Sequence, residues 1–432
     1  MNFLFKYICG FLISLFLLHQ KMMEKKHKIP TVLVITGSSE NWYELGEGYE
    51  EFFTIEQSDF EHLRIVSDCY FDKPYVTLHG DTLSKIPQLR KDRVISPSLV
   101  LVRSCFRYIG YSLDKKYDYS NLIYALAHAN IKTINSLNSL LIEDERPLMY
   151  GILQSIKKKY GKANFPLIDQ VFYPSHANIV CPPDVPLVMK VDYPHAGFGK
   201  YKILDYHDIE DLKSILALHK DYCSLEPLID SQYELRITYI APDYIRMHKR
   251  YSQNWKVNFG MPCIMEDMDI QPQHKRWVDL IRKEYPDLEI FAIDAIVDKD
   301  GKEYILEVNG SPIGLMPEHE KEELEKMRDL ILLKVNEMAE EKENQSKVHQ
   351  ENYVLNESNE KDVEIINPRN KIGDLIKELN QSKENIAYLS NQIVISSQKK
   401  SKYQLSNFHV FIGIFVGILL LFAFSRLFSC NY

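Results

Sequence analysis

A hairpin of two apolar strands, each carrying one carboxylate, constrains the fold of this chain more than any other feature. The first strand, Phe291–Val297, is apolar except for Asp294, and the second strand starts at Tyr304 and carries Glu307. The intervening Asp298-Lys-Asp-Gly301 is typical of a tight turn, so the two strands are predicted to pair. An acid within an apolar strand is costly unless it is paired or bound to a metal.

Asn309 adds an amide oxygen to the same face of this hairpin. It follows Glu307 by two residues, and alternate side chains of a strand point to the same side. Three oxygen ligands that converge in this way suit Mg²⁺ held in part by nucleotide phosphates. We therefore predict a metal–nucleotide site at Asp294, Glu307 and Asn309.

A glycine-containing loop after a lysine-bearing strand predicts the phosphate contacts. The strand Pro186–Lys190 ends in a lysine, and His195-Ala-Gly-Phe-Gly-Lys200 follows it. Gly197 and Gly199 allow the loop to fold closely over phosphate groups, whose oxygens accept hydrogen bonds from backbone N–H groups. Lys190 supplies a fixed positive charge for the same anion. Taken alone, this loop is more typical of a simple turn.

The segment Tyr233-Glu-Leu-Arg236 extends this site. On a strand, Glu234 and Arg236 lie on one face, where they are placed to meet ribose and phosphate respectively. An exposed strand face with two charged residues is the alternative interpretation.

The N-terminal half of the core predicts an α/β domain. Thr31–Thr36 and Leu99–Arg103 are typical of buried strands, a helical pattern covers Asn121–Ala129, and Ile131–Asn135 is a third candidate strand. Strands that alternate with helices imply a parallel α/β layer. The glycines here do not form G-x-G-x-x-G, so a dinucleotide fingerprint is absent from the sequence.

The composition is that of an ordinary globular protein. The 432 residues allow two or three domains, and 45% hydrophobic and 26% charged residues argue against wholesale disorder. The net charge of −8 argues against a protein that mainly coats nucleic acid. The seven cysteines, at 9, 69, 105, 181, 223, 263 and 430, have no C-x-x-C spacing and predict reduced thiols in the cytosol.

Two apolar segments of membrane length flank this core. Phe408–Phe428 is apolar as far as Arg426, and about 18 such residues can cross a bilayer, so we expect a transmembrane tail anchor rather than a buried core helix. Phe3–Leu18 has the length of a signal-peptide core without a small-x-small cleavage site. A signal anchor and translation from Met22 or Met23 both stay open for this segment.

Lysines beside both apolar segments predict that the core lies in the cytosol. They stand at 21, 25, 26 and 28 after the first segment and at 399, 400 and 402 before the second. Positive residues favour the cytosolic side of a membrane, which agrees with the cysteine pattern.

A polar stretch and a heptad pattern connect the core to the tail. Residues 340–370 are rich in Glu, Asn, Lys, Gln and Ser and predict a flexible linker. Ile372, Leu379, Ile386 and Ile393 then recur at one heptad position and predict a short coiled coil. We favour a parallel dimer, and a single amphipathic helix lying on the membrane is the alternative.

Five phrases of the core occur in the order of a known family. They are Ile134-Asn-Ser-Leu137, Phe165-Pro-Leu-Ile-Asp-Gln-Val-Phe-Tyr-Pro-Ser-His176, Glu226-Pro-Leu-Ile-Asp230, Asn254-Trp-Lys-Val-Asn258 and Asp298-Lys-Asp-Gly301. From Ile29 to Ala339 the chain resembles the synapsins, within the ATP-grasp superfamily. The resemblance implies an α/β fold in which a parallel pre-ATP-grasp domain precedes a two-lobed ATP-grasp domain.

The predicted organisation joins this resemblance to the flanking patterns. Its segments are a hydrophobic N-terminus (1–22), the pre-ATP-grasp domain (29–136), the ATP-grasp domain (137–339), a linker (340–370), a coiled coil (371–405) and a transmembrane helix (408–428).

The resemblance also implies ligands and roles for individual residues. ATP and either Mg²⁺ or Ca²⁺ are the implied ligands, with Asp294 and Glu307 holding the ion. The implied nucleotide contacts are Lys190 to phosphate, Glu226, Pro227, Leu228 and Ile229 around adenine, and Gly197, Gly199 and Lys200 in a mobile phosphate loop. Arg236, Lys256 and Asn258 are implied to contact the γ-phosphate or a second substrate.

Two departures from the family pattern affect this site. Arg146 stands in Glu145-Arg146-Pro147 where the family has a nucleotide-contacting lysine, and it keeps the charge without the compact ammonium geometry. Synapsins have valine where this chain has Asn309, which instead matches the ligand pattern of catalytic ATP-grasp ligases.

Two functions are therefore expected. The first is an ATP- and metal-binding regulator, tethered to a vesicle or other intracellular membrane, that controls vesicle association or neurotransmitter secretion and forms homo-oligomers through its core and coiled coil. The second is a carboxylate–amine or carboxylate–thiol ligase that acts through an acyl phosphate, which Asn309 favours. A tether that has lost nucleotide binding is disfavoured by the presence of Lys190, Asp294 and Glu307.

Overall fold

The computed structural model describes residues 29–37, 39–67, 74–109, 116–179, 186–193, 197–219, 221–251, 254–256 and 263–360. The described residues up to Glu343 form one compact unit. A second unit starts at Asn344, and within it the structure describes residues 344–360, which are helical. Both predicted hydrophobic segments and the predicted coiled coil lie outside the described residues. No helix in the part of the chain that the structure describes is both long and apolar enough to cross a membrane.

A parallel sheet with helices forms the N-terminal part of the first unit. Its elements are β1 (Thr31–Ile35), α1 (Trp42–Leu45), β2 (Thr54–Ser58), β3 (Leu63–Val66), β4 (Tyr75–Leu78), β5 (Arg93–Ile95), β6 (Leu99–Val102), β7 (Arg107–Ile109), β8 (Lys116–Asp118), α2 (Ser120–His128) and β9 (Lys132–Ile134), with a 3₁₀ turn at Pro87–Arg90. Strands β2, β1, β6 and β9 pair in parallel, in that order. The predicted parallel α/β layer is confirmed, and β6 is fully buried because apolar side chains cover both of its faces.

A four-stranded antiparallel sheet, the central sheet, follows two helices. These elements are α3 (Leu137–Glu143), α4 (Arg146–Tyr160), β10 (Val171–Tyr173), β11 (Leu187–Val191), β12 (Lys200–Ile203), α5 (Tyr206–His219) and β13 (Cys223–Pro227), with a 3₁₀ turn at His176–Asn178. The strand order is β10-β13-β11-β12. Helix α5 packs against β11, β12 and β13 in a small hydrophobic core.

The C-terminal sheet has five antiparallel strands. Its elements are β14 (Ser231–Ile240), β15 (Tyr244–Tyr251), β16 (Ile264–Met268), α6 (Pro272–Glu284), β17 (Ile290–Asp298) and β18 (Glu303–Asn309), followed by α7 (Glu320–Glu360). The strand order is β16-β15-β14-β17-β18. The predicted hairpin is β17–β18, and Gly301 in its turn has φ +78°, a conformation that favours glycine.

The two faces of β17 have different neighbours. Phe291, Ile293 and Ala295 pack on one face against α4 and α6. Ile290 and Ala292 pack on the other face, in a core shared with α7 and the N-terminal sheet. Asp294 is the next residue on this second face. The packed core therefore ends at Ala292, and Asp294 lines a cavity.

Helix α7 corrects one prediction of the sequence analysis. It runs to Glu360, so residues 340–360 are helical where the sequence predicts a flexible linker. The apolar residues of its first half, including Leu324, Met327 and Ile331, are buried between the N-terminal and C-terminal sheets. The helix continues beyond these contacts into a segment whose composition alone indicates a linker.

Asn135 joins the N-terminal sheet to the C-terminal sheet and is fully buried. Its Nδ2 donates to the carbonyl of Ile290 at 2.9 Å and to Glu143 Oε2 at 3.1 Å. Its Oδ1 accepts from the backbone N–H groups of Glu289 and Ile290, both at 2.8 Å. We expect Asn135→Ala to lower the free energy of unfolding by about 3 kcal/mol, because buried donors lose their acceptor.

Urea unfolding followed by tryptophan fluorescence measures this loss. The control Asn121→Ala removes an exposed asparagine of α2 and should change the free energy of unfolding by less than about 0.5 kcal/mol. Equal effects of the two variants would show that Asn135 does not join the sheets in this way.

Candidate functional site

A cavity of about 430 Å³ is lined by residues of the N-terminal parallel sheet, the central sheet and the C-terminal sheet. Thirteen of the predicted site residues line it: Lys190, Gly197, Lys200, Glu226, Pro227, Leu228, Ile229, Glu234, Arg236, Lys256, Asp294, Glu307 and Asn309. The sequence phrases that contribute them are far apart along the chain, and the fold brings them together around one space.

The three predicted metal ligands lie together at one end of this cavity. Asp294 is directly opposite Glu307 in the β17–β18 register, and Asn309 Nδ2 donates to Asp294 Oδ2 at 2.9 Å. The register shifts just after Asp294, so consecutive residues Leu306 and Glu307 both line the cavity. Because of this bulge, the apolar side chain of Leu306 lines the cavity next to Glu307.

Two arginines neutralise the buried carboxylate of Asp294. Arg250 Nη2 donates to Asp294 Oδ1 at 2.8 Å and to Glu234 Oε2 at 3.0 Å, and Arg236 Nη1 lies 3.4 Å from the same Asp294 oxygen. The Nε atoms of both arginines are buried and have no acceptor among the residues that the structure describes. The two guanidinium groups therefore retain hydrogen-bonding capacity beside the cavity.

Burial changes the protonation of two neighbours of these arginines. It raises the pKa of Glu234 to about 7, against the opposing effect of Arg250. It lowers the pKa of His248 to about 4, and the positive charges of Arg250 and Arg236 act in the same direction. His248 is therefore neutral at physiological pH, and the two arginines are the cations of this end of the cavity.

Ion pairs also hold two lysines of the central sheet, one of them buried and the other partly exposed. Lys190 Nζ lies 2.8 Å from Glu226 Oε1, and both side chains are 5% exposed. Gln170 Nε2 donates to the other oxygen of Glu226 at 3.3 Å. Lys200 Nζ lies 3.7 Å from Glu307 Oε1, and burial lowers the pKa of Lys200 while Glu307 opposes the shift. The candidate phosphate and metal groups thus contact one another across the cavity.

The glycine turn differs from the prediction in one respect. Gly197 and Gly199 have φ of +84° and +63°, so glycine is needed there, and the carbonyl of Gly199 accepts from the Val191 N–H at 2.7 Å. Lys200, predicted in the mobile loop, is instead the first residue of β12 and pairs with Lys190 in the strand register. Antiparallel pairing with β11 therefore fixes its backbone.

Two further predicted residues, Arg146 and Gly199, do not line the main cavity. Arg146 lines a smaller cavity of about 30 Å³ that shares Lys190 and Glu307 with the first, and its Nη1 donates to the Asp192 carbonyl at 3.4 Å. Lys256 lines the main cavity with its Nζ 5.3 Å from the centre of the Trp255 ring. Asn258 lies outside the described residues.

The oxygen atoms of Asp294, Glu307 and Asn309 fit a hard divalent cation. In the described part of the chain, no group of three or more His, Cys, Asp or Glu side chains is arranged to hold a metal. Two carboxylates and one amide leave most coordination positions to other oxygens, as is usual for Mg²⁺ bound with a phosphorylated ligand. The donor chemistry thus fits a cation that binds together with a nucleotide.

Arg250 and Glu143 are site residues that the sequence reasoning missed. The alternation of Arg246, His248 and Arg250 along β15 is the sequence signal for a charged strand face, but it does not show that Asp294 is the partner. Glu143 lines the cavity, and a Cβ added to Gly310 would lie 1.5 Å from its Oε2. Its neighbours are distant in sequence, so no local pattern marks it.

Comparisons with known proteins agree with this geometry. Residues 135–337 match the family model described as "Synapsin, ATP binding domain". A synapsin from Drosophila melanogaster is 27% identical over 315 residues, which cover 71% of this chain and 30% of the relative. The chain thus matches less than a third of that relative's length, and the resemblance predicted from the sequence is confirmed.

Solved ATP-grasp proteins are similar to this chain at low sequence identity. An ATP-grasp RimK-domain protein from Sphaerobacter thermophilus is 11% identical, with a TM-score of 0.44 over 69% of this chain and 96% of its own. D-alanyl-alanine synthetase A from Vibrio cholerae is 13% identical, with a TM-score of 0.40 over 65% of this chain and 89% of its own.

Glu143 generates a prediction for the pH dependence of stability. Burial raises its pKa from 4.5 to about 8, although hydrogen bonds from Asn135 and the Ser311 backbone oppose the shift. The folded chain therefore keeps a proton that the unfolded chain releases between about pH 4.5 and pH 8, so stability falls as pH rises through that window. We expect Glu143→Gln to remove the part of this pH-dependent loss of stability that comes from Glu143.

Urea unfolding at a series of pH values between those limits measures the difference. Glu51→Gln, at an exposed position, should keep the pH profile of the wild type. A Glu143→Gln profile as steep as that of the wild type would contradict the prediction.

Proposed function

We propose that the chain binds ATP with a divalent cation and uses this binding to regulate membrane association, because residues 135–337 match the model of the synapsin ATP-binding domain. The observation that carries the proposal is the single cavity. It brings apolar and hinge residues together with carboxylates and arginines.

The hinge end of the cavity supports binding of the adenine base. Pro227, Leu228 and Ile229 follow strand β13 and line the cavity together with Leu306 and Ile296. These side chains offer apolar surface to a flat ring, and the hinge backbone offers donors and acceptors to its edge. The Lys190–Glu226 pair lies beside them and supplies one cationic and one anionic group.

The charged side chains that line the cavity support binding of the phosphates. Lys190, Lys200, Arg236 and Arg250 bring four cationic side chains to the cavity. Mg²⁺ or Ca²⁺ held by Asp294, Glu307 and Asn309 would neutralise phosphate charge when bound. The arginines would then orient the terminal phosphate through hydrogen bonds that their Nε and Nη atoms have available.

Membrane tethering and control of vesicle association form the cellular part of the proposal. It is supported by the synapsin-type domain and by the apolar run Phe408–Phe428, with the heptad pattern of 371–405 between them. Such a chain would hold its nucleotide-binding core at a cytosolic membrane surface. A coiled coil would bring two cores together, so that ATP binding could control contacts between tethered copies.

A ligase is the second candidate function, and the Asp294–Asn309 contact favours it. In this reaction a substrate carboxylate attacks the γ-phosphorus of ATP and ADP leaves, which gives an acyl phosphate. An amine or thiol then attacks the acyl carbon, and inorganic phosphate leaves. Arg236 and Arg250 are placed to offset negative charge on the transferring phosphoryl group.

Asp294→Asn tests the nucleotide site. We expect the affinity for ATP in the presence of Mg²⁺ to fall at least tenfold, because the variant loses the negative charge that a cation requires while keeping a similar shape. Isothermal calorimetry with ATP, with and without Mg²⁺, measures the change. Asp300→Asn alters an exposed acid in the adjacent turn and should bind as the wild type does.

Unchanged ATP binding by Asp294→Asn would count against the metal site. Release of phosphate from ATP only when a carboxylate and an amine are both present would favour the ligase over the regulator.

Deletion of 408–432 tests the membrane anchor. We expect the chain without these residues to remain in the aqueous fraction when liposomes are floated, because its apolar span is removed. A second deletion that also removes 1–22 controls for the N-terminal apolar run. Tight liposome association of the doubly deleted chain would contradict the proposal.

A further inference from the structure

The segment that continues β18 beyond Asn309 is held by the N-terminal sheet. Ser311 is fully buried, and its Oγ donates to the Val102 carbonyl at 2.6 Å. Residues 310–313, called here the 310–313 loop, thus pack against the carboxyl end of β6. The loop starts directly after the last of the three candidate metal ligands.

Arg103, the residue after β6, makes the most contacts with this loop. Its Nη1 donates to the carbonyl of Ser311 and, at 3.1 Å, to the carbonyl of Ile313. Its Nη2 donates to Glu40 Oε1 at 2.7 Å. The side chains of Arg103 and Glu40 are only 2% and 10% exposed, so both charges are almost completely removed from water.

Glu40 is itself fixed by two further hydrogen bonds. Its Oε2 accepts from Trp42 Nε1 at 2.8 Å and from Thr36 Oγ1 at 3.2 Å. A buried guanidinium is costly unless its charge is paired and most of its donors are satisfied; here both Nη atoms donate, and Nε has no acceptor among the described residues. Glu40 supplies the charge and the two loop carbonyls supply the acceptors, so the loop position and the ion pair depend on each other.

We propose that Arg103 is a positioning residue for the metal-dependent part of nucleotide binding. It fixes the 310–313 loop, and through that loop it holds Asn309 within hydrogen-bond distance of Asp294. Arg103 does not line the cavity, so it acts through the loop. This inference rests on the proposed function, because it concerns how the same site is kept in shape.

Arginine is required at this position because its planar fork donates in several directions at once. A lysine would keep the charge next to Glu40 but would not reach Glu40 and both loop carbonyls in the same geometry. The N-terminal sheet thereby contributes to cation binding through a side chain that contacts no ligand.

Arg103→Gln in the full chain, with Arg93→Gln as a matched control, tests the proposal. Arg93 lies on β5, which pairs with β4 outside the parallel N-terminal sheet, and its Nε lies 2.7 Å from Glu56 Oε2. Its hydrogen bonds go to Glu56 and to other residues of the N-terminal part of the chain. Calorimetry measures ATP affinity in Mg²⁺ and in EDTA, and hydrogen–deuterium exchange of the ligand-free chain reports the mobility of the loop amides.

We expect Arg103→Gln to weaken ATP binding in Mg²⁺ about tenfold, which corresponds to loss of one charge-assisted hydrogen bond, and to change binding in EDTA less than about twofold. Exchange of the 310–313 amides should accelerate in Arg103→Gln and not in Arg93→Gln. If Arg103→Gln does not fold, Arg103→Lys replaces it and should show a smaller loss of the same kind.

Two results would overturn the proposal. One is wild-type affinity in Mg²⁺ together with unchanged loop exchange in the Arg103 variant. The other is equal loss of binding in Mg²⁺ and in EDTA by both the Arg103 and the Arg93 variants, which would indicate a general structural effect. Absence of Mg²⁺-dependent ATP binding by the wild type would instead refute the proposed function, and loop exchange would still decide whether Arg103 holds the loop.

Discussion

The carboxylate of Asp294 is a negative charge in the middle of an apolar strand, and the organisation of the candidate site depends on how that charge is satisfied. The structure satisfies it with Arg236 and Asn309, from the two strands adjacent to β17, and with Arg250 from β15, one strand further away in the C-terminal sheet. A cation at this place would take over part of that compensation. Under the proposed function, binding of a metal–nucleotide complex would therefore be coupled to the release of arginine donors beside the phosphates.

The N-terminal sheet stabilises the same site from outside the cavity. Asn135 connects it to β17, and Arg103 with Glu40 connects it to the loop after β18. Both connections are made by buried polar side chains whose hydrogen bonds would be costly to break. The three sheets consequently form one structural unit around the cavity, and changes in the N-terminal sheet are expected to reach the ligand-binding strands.

The sequence predicts the parts of this site that reside in local patterns. The β17–β18 hairpin, its turn at Gly301 and the approach of Asn309 to Asp294 all follow from alternation and turn chemistry. Arg250 and Arg103 could not be predicted, because their partners are far away in sequence and depend on the tertiary fold. Lys200 was predicted in a mobile loop but belongs to a strand, because pairing with β11 outweighs the glycine content of the preceding turn. Residues 340–360 were predicted as a linker but are helical, although their composition is polar.

A crystal structure with a non-hydrolysable ATP analogue and Mn²⁺ tests the central claim most directly. The account predicts an anomalous scattering peak about 2.1 Å from oxygens of Asp294 and Glu307, bridged to the nucleotide phosphates. It also predicts that Arg250 moves from Asp294 towards the terminal phosphate. A bound nucleotide with no metal beside these acids, and with Arg250 still joined to Asp294, would contradict the account.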